Sequence, residues 1–199
     1  MRKNGDELIT FLGEPVGYSV RDFWSWNCSD LLDNTLRGEY AEFIVATALK
    51  LDISGQRVNW DPWDLTYPLA WVDATGRRQD VRIEVKSSAY CQSWHQRRLS
   101  KIVFGIRPTR LQGEDGRYSE EMRRQSDVYV FCLFAEKDSE KADPLQLERW
   151  EFYVLPTSRL DESCGEQKTI SLASLLKLNP LKTDYHSIEA AVIRSIVAP

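Results

Sequence analysis

The clearest alternation along the chain is Val81-Arg82-Ile83-Glu84-Val85-Lys86-Ser87-Ser88, where apolar residues take every second position as far as Val85. A period of two predicts a strand with one buried and one polar face. Val128–Phe134 is apolar throughout, the pattern of a central strand buried on both faces. Trp150–Leu155, ended by Pro156, and Ile102–Ile106, stopped by Pro108, predict two further strands. Val58–Tyr67 arranges Trp60, Trp63, Leu65 and Tyr67 around Asp61, Pro62 and Asp64, and predicts a strand entered through a turn. With Leu69–Asp73 and a turn at Ala74-Thr75-Gly76-Arg77, it leads into the Val81 strand as a meander or hairpin.

Helical patterning frames these strands. From Asn34, and most clearly over Glu39–Leu49, good helix formers carry apolar side chains around most of the circumference, which predicts a largely buried helix. Ser171–Leu178 and Ser187–Val197 predict two more helices, each with a serine at its N-cap. Asp22–Leu36 reads as irregular chain or short helix, with Ser29 capping the turn that carries Leu31 and Leu32. Residues 1–20 predict loops or short pieces, Ser88–Arg98 a loop or short helix, and Glu136–Gln146 a charged surface excursion. Leu111–Gln125, with Gly113 and Gly116, predicts a mobile loop. The order is α, then a run of β, then two α. It predicts an α/β fold, a mixed sheet flanked by helices, in a single domain over 1–199 whose core spans about 34–155, with C-terminal helices over about 171–197.

Composition narrows the class. A hydrophobic fraction of 42% and seven tryptophans in 199 residues require a packed core. No apolar run approaches the roughly 18–20 residues that span a bilayer, and the charged N-terminus lacks the apolar segment of a signal peptide. Cys28, Cys91, Cys132 and Cys164 are scattered without a Cys-x-x-Cys, which predicts buried free thiols and a cytoplasmic protein. The net charge of −4 does not advertise nucleic-acid binding. Its distribution changes that picture: Arg97, Arg98, Lys101, Arg107 and Arg110 fall between Trp94 and Arg110 with no acid among them. Arg97, Arg98 and Lys101 are therefore candidate phosphate contacts, against the plainer reading of a solvated basic stretch.

Glu84 and Lys86 share the polar face of their strand, with side chains about 7 Å apart. Phosphodiester hydrolysis needs an activated water, neutralised phosphate charge and a stabilised leaving oxygen, and carboxylates holding one or two Mg²⁺ ions supply much of this. Asp64 on the preceding strand is placed to converge with Glu84, and Lys86 to orient the water or meet developing charge. Glu39 and Glu42 lie i, i+3 on the predicted helix, where buried carboxylates need a cation or a partner such as Arg37.

These residues resemble the PD-(D/E)xK signature of the restriction-endonuclease-like superfamily: Asp64, then Glu84-Val85-Lys86, with Glu42 or Glu39 on the helix before. The resemblance covers roughly residues 34–134. It implies a Mg²⁺-dependent (or Mn²⁺-dependent) nuclease with an αβββαβ core, acting on nucleic acid, most naturally DNA. It further implies that Asp64, Glu84 and Val85 hold metal, that Lys86 acts near the water, and that a helical glutamate completes the site as in the Holliday-junction-resolvase and exonuclease branches. Trp63 stands between Pro62 and Asp64, a departure that leaves Asp61 as a rival ligand. The resemblance leaves room for a homodimer or a larger complex.

Plainer readings stand beside each assignment. Glu84 and Lys86 also fit a cross-strand ion pair on a solvated face, and Asp64 also fits a turn residue. Ser87 and Gln92 fit site-supporting roles or ordinary loop polarity. Glu166-Gln167-Lys168 repeats the Glu-x-Lys spacing without flanking apolar alternation and reads as turn surface. Two histidines 91 positions apart give little support to a histidine-rich metal centre. The absence of Gly-x-Ser-x-Gly, Walker A and Gly-x-Gly-x-x-Gly excludes the hydrolase elbow and nucleotide-binding motifs. A non-catalytic nucleic-acid-binding module on the same fold is the alternative from another class.

Overall fold

The computed structural model describes residues 2–57, 61–72, 78–112 and 116–197. In chain order the strands are β1 (Leu8–Phe11), β2 (Glu14–Ser19), β3 (Leu65–Val72), β4 (Arg78–Ala89), β5 (Val103–Gly105), β6 (Thr109–Gln112), β7 (Tyr118–Arg123), β8 (Val128–Phe134), β9 (Trp150–Pro156), β10 (Thr169–Ser171) and β11 (Leu181–Thr183). The helices are α1 (Val20–Asn27), α2 (Asn34–Ala48), α3 (Thr157–Cys164), α4 (Leu172–Lys177) and α5 (Ile188–Val197).

Five strands form the central sheet in the order β11-β9-β8-β4-β3. β4 and β8 run parallel, and the other neighbours run antiparallel, so the sheet is mixed. β8 is buried at every position, as its unbroken apolar run requires. Val81, Ile83 and Val85 of β4 point with Val128, Val130 and Cys132 into one core, which α2 and α5 cover through Ala41, Ile44, Val45, Ile188 and Val192. Tyr129, Phe131, Leu133, Tyr153 and Leu155 fill a second core beneath Phe104, Ile106, Leu160, Ile170 and Leu175. Glu84 and Lys86 lie on this second face, beside Tyr129 and Phe131 in the parallel register. The expected α/β architecture, a mixed sheet flanked by helices, is what the chain adopts. The β4-to-β8 crossover, however, passes through β5 and the β6–β7 hairpin, where an αβββαβ order places a helix.

Several local expectations are corrected. Residues 8–19 form a hairpin closed at Leu12-Gly13, both with positive φ, the conformation of a two-residue primed turn. A leucine in place of the usual Asn or Asp gave no turn signal. Ser29 caps nothing: its hydroxyl donates to the Ser25 carbonyl, and the Asp30 carboxylate accepts from the Leu32 N–H instead. α2 is capped by Asp33, which accepts from the Thr35 and Leu36 N–H groups. Its buried stripe is narrower than the sequence predicts, and Phe43 is half-exposed. The expected mobile loop at 111–125 holds the end of β6 and all of β7, an exposed hairpin whose tip, 113–115, lies outside the described residues. The Ile102–Ile106 strand exists but pairs with β10, away from the central sheet. α3 was not predicted, because its eight residues bury only Thr157 and Leu160.

Val58–Trp60 and the 74–77 turn fall outside the described residues, and β3 begins only at Leu65. Pro68 lies within β3, where the register with β4 shifts. A proline is tolerated there because β3 is an edge strand. α4 and α5 match their predicted spans within a residue. Ser171 caps α4 as expected, whereas the Ser187 N–H is itself received by the Asp184 carboxylate. The four cysteines are free, but only Cys91 and Cys132 are buried. Among the described residues no helix is long and apolar enough to cross a membrane.

Candidate active site

The cluster forms where β3 stops accompanying β4. Pairing between them reaches Leu65 opposite Ile83, and the Asp64 N–H still donates to the Ile83 carbonyl at 3.1 Å. Beyond that point β4 continues to Ala89 with β8 on one side only. The Asp64 side chain turns into the vacated edge, and its Oδ2 accepts from the Val85 N–H at 2.8 Å. The N–H and C=O of one residue leave an extended strand toward the same neighbour, so the Val85 carbonyl faces this edge as well.

Lys86 Nζ lies 2.5 Å from Glu84 Oε1 and 3.9 Å from Asp64 Oδ2. All three side chains are partly buried, Glu84 at 18% exposure and Lys86 at 31%. Burial raises the Glu84 pKa above the ordinary carboxylate value; the Lys86 charge opposes that rise and Asp64 adds to it. Burial works to lower the Lys86 pKa, but the Glu84 and Asp64 carboxylates outweigh it and leave it raised. Lys86 is therefore a held cation at neutral pH, a donor and not a base.

Glu42 approaches from α2, on the other face of the sheet, and its charge reaches Glu84 and Lys86 at the open edge. Burial raises its pKa too, against the Arg57 guanidinium, which grips both its carboxylate oxygens at 2.6 and 2.7 Å. The expected pairing of a helix glutamate with Arg37 is thus corrected. Arg37 is buried and points to Ser87 Oγ (3.1 Å), Gln92 Oε1 (3.2 Å), Asn34 Oδ1 (2.6 Å) and the Leu32 carbonyl (2.8 Å). Ser87 and Gln92 are therefore spent on holding Arg37 and the start of the next loop. Sequence reading missed Arg57, which lies 15 residues from its partner in a segment without periodicity.

Glu39 is exposed, and it enters the cluster only through its charge near Arg57. Asp61 is exposed in the bend before β3, and among the described residues it has no hydrogen bond or ion pair. Geometry thus gathers Asp64, Glu84, Lys86 and Glu42 and leaves Asp61 and Glu39 at the margin. Arg82, on the same face as Glu84, is neutralised by Asp127 through contacts of 2.6 and 3.0 Å.

Three carboxylates face Lys86 and Arg57, which leaves the cluster with one negative charge in excess. Among the described residues no three acidic, histidine or cysteine side chains stand close enough to cage a metal on their own. The donors at the open edge, the Asp64 and Glu84 carboxylates with the Val85 carbonyl, are hard oxygens, the ligand type that Mg²⁺ takes.

Past Ala89 the chain forms a loop stapled by two glutamines. Gln92 Nε2 donates to the Ala89 carbonyl and Ser100 Oγ, and Gln96 Nε2 donates to Ser100 Oγ and the Tyr90 carbonyl. Arg97, Arg98 and Lys101 project from it, exposed.

Comparison with curated proteins and with solved structures returns no match. A protein-family model does match: bacteriophage T4 endonuclease IV, over residues 13–174. That span includes β3, β4, α2 and every residue of the cluster. The chain therefore belongs to the bacteriophage T4 endonuclease IV family, a family of nucleases.

Proposed function

We propose that the chain is a Mg²⁺-dependent (or Mn²⁺-dependent) DNA nuclease of the PD-(D/E)xK type, with its reacting centre at the open edge of β4. The observation that carries this reading is the convergence of Asp64 and Glu84 on Lys86 Nζ where β3 ends. Family membership supports a nucleic-acid substrate, and the name endonuclease supports internal cleavage.

Asp64, Glu84 and the Val85 carbonyl are the groups that would hold the ion. When bound, Mg²⁺ supplies charge neutralisation on the phosphate and a more acidic water. The protein's own share is positioning. Lys86, fixed between two carboxylates, offers a donor to the attacking water and a cation to the charge that grows on the phosphate. Glu84 is ionised only above its raised pKa, so its ligand role has a built-in acid limit. Glu42, clamped by Arg57, keeps the helix side of the site anionic. Arg97, Arg98 and Lys101 lie on the loop that continues β4 and would track the substrate backbone, a contact that weakens with salt.

The test is cleavage of duplex, single-stranded and branched DNA, and of RNA, with Mg²⁺ or Mn²⁺, by the wild-type chain and by Lys86→Ala. Metal-dependent DNA cleavage lost in the variant supports the reading. Undiminished cleavage by Glu84→Ala, or cleavage that persists in excess chelator, overturns it.

A further inference from the structure

The N-terminal arm, residues 5–30, contributes nothing to either core: Leu32 is the first residue that packs on one. β1, β2 and α1 contact mainly one another, and none of the three contains a buried residue. The arm nevertheless carries Phe11, Leu12 and Trp26 at 71%, 89% and 82% exposure, with Leu8, Tyr18 and Phe23 about half or more exposed. An apolar surface of that extent on a folded element marks an interaction site. The arm is also net acidic, with Asp6, Glu7, Glu14, Asp22 and Asp30 against Arg21, and with Arg2 and Lys3 just ahead of it.

Its complement lies in the same chain. The Trp94–Arg110 segment has five exposed bases and no acid, and it exposes Trp94, Leu99 and Val103. Its first part, 94–101, encloses a concavity of about 440 Å³. The root of the arm and the root of this loop meet at one guanidinium, since Arg37 donates to both the Leu32 carbonyl and Gln92 Oε1. Each copy thus presents an acidic aromatic arm and a basic concave loop from neighbouring points.

We propose that the arm of one copy seats on the 94–110 segment of a second copy, reciprocally, in a two-fold arm-exchanged dimer. Charge complementarity selects the partner. Reciprocal exchange closes the assembly, because both arms and both loops are used once. The area suffices: a stable interface needs about 800 Å² per partner, and aromatic side chains bury ~150–250 Å² each. The five aromatics of one arm, between 40% and 82% exposed, supply several hundred Å², and the exchange counts each arm. The proposal does not rest on the nuclease reading. One consequence does: a seated arm shields Arg97, Arg98 and Lys101 from nucleic acid.

The experiment is analytical ultracentrifugation of the full chain, without nucleic acid, in about 0.1 M and about 1 M salt. The expected result is a dimer with a micromolar or tighter dissociation constant, weaker at high salt. Phe11→Ser with Trp26→Ser should give a monomer of unchanged circular dichroism, since both side chains are exposed. Arg97→Glu with Arg98→Glu should weaken the dimer at least tenfold. A wild-type chain that stays monomeric at low salt overturns the proposal. So does a dimer indifferent to the arm variant, or one lost in the arm variant but unaffected in the loop variant.

Discussion

Glu84-Val85-Lys86 and Glu166-Gln167-Lys168 share one spacing of acid and base, and the fold gives them different chemistry. The first lies within β4, where Glu84 and Lys86 are partly buried, in contact at 2.5 Å, and joined by Asp64 from the neighbouring strand. The second lies in the turn after α3, where both side chains are exposed. In β4 the strand points both side chains to one face, and desolvation strengthens every charge interaction there. At 166–168 water screens whatever the spacing offers. A sequence motif thus becomes a site through the surface behind it.

The sharpest way to break this comparison is to remove the same groups from both. Glu84→Gln or Lys86→Ala should lower the cleavage rate by ~10²–10³-fold or more, the scale of losing one preorganised electrostatic group in an active site. Glu166→Gln and Lys168→Ala should leave it unchanged. Single-turnover cleavage of one DNA substrate by the four purified variants measures the contrast. Equal losses at both places would mean that the β4 cluster is not the reacting centre.

That contrast also marks what the chain discloses before it folds. The buried alternation of Val81, Ile83 and Val85 and the unbroken run of β8 identified two sheet strands, because core strands leave a strong pattern. Asp64 was legible only as one of two candidates, with Asp61 its rival; that Asp64 reaches the β4 edge and accepts from the Val85 N–H appears only in the folded chain. The elements that escaped notice are those with little core to declare them. α3 buries two side chains, the β6–β7 hairpin is exposed almost throughout, and the β1–β2 turn uses Leu12 at positive φ. The Arg57–Glu42 and Arg37–Ser87 contacts were illegible for another reason: they join segments whose proximity exists only in the folded chain.

Arg37 is the next test, on stability. It is buried and spends its donors on a serine of β4, a loop glutamine, Asn34 and a carbonyl, with no carboxylate in contact among the described residues. Burial lowers its pKa, and the nearby Asp33 charge opposes that. Arg37→Ala should cost about 2–3 kcal/mol in a urea melt, because it leaves polar groups without partners. An equivalent change at Lys168, in the exposed turn, should fall within about 0.5 kcal/mol.

The pH dependence distinguishes the two Glu-x-Lys sites more finely. Glu84 has a raised pKa, so its neutral form is favoured in the folded state and its contribution to stability is present below the unfolded value. That contribution fades as pH climbs through the folded value. Under the proposed mechanism cleavage runs the other way, since Glu84 acts there as an anion, and its acid limb should lie above the ordinary glutamate range. Lys86→Met removes the opposing cation and should move that limb further up in a pH–rate profile. A limb at the ordinary value, unmoved in the variant, would leave Glu84 no different from Glu166.

The smallest effect is expected at Arg57, where the cluster borders water. Its side chain is 42% exposed, so its worth to stability is slight even though it holds both oxygens of Glu42. Its influence should appear in activity. With Arg57→Ala, burial and Asp64 act on Glu42 without their main opponent, and the Glu42 pKa rises further. The helix side of the site then holds its negative charge less firmly as pH falls. The expected cost is about tenfold in cleavage, the scale of losing a group that orients a ligand without being one. The loss should be recovered as pH increases, because alkali restores the Glu42 anion. A loss that is constant with pH would place Arg57 on the substrate instead, as a phosphate contact.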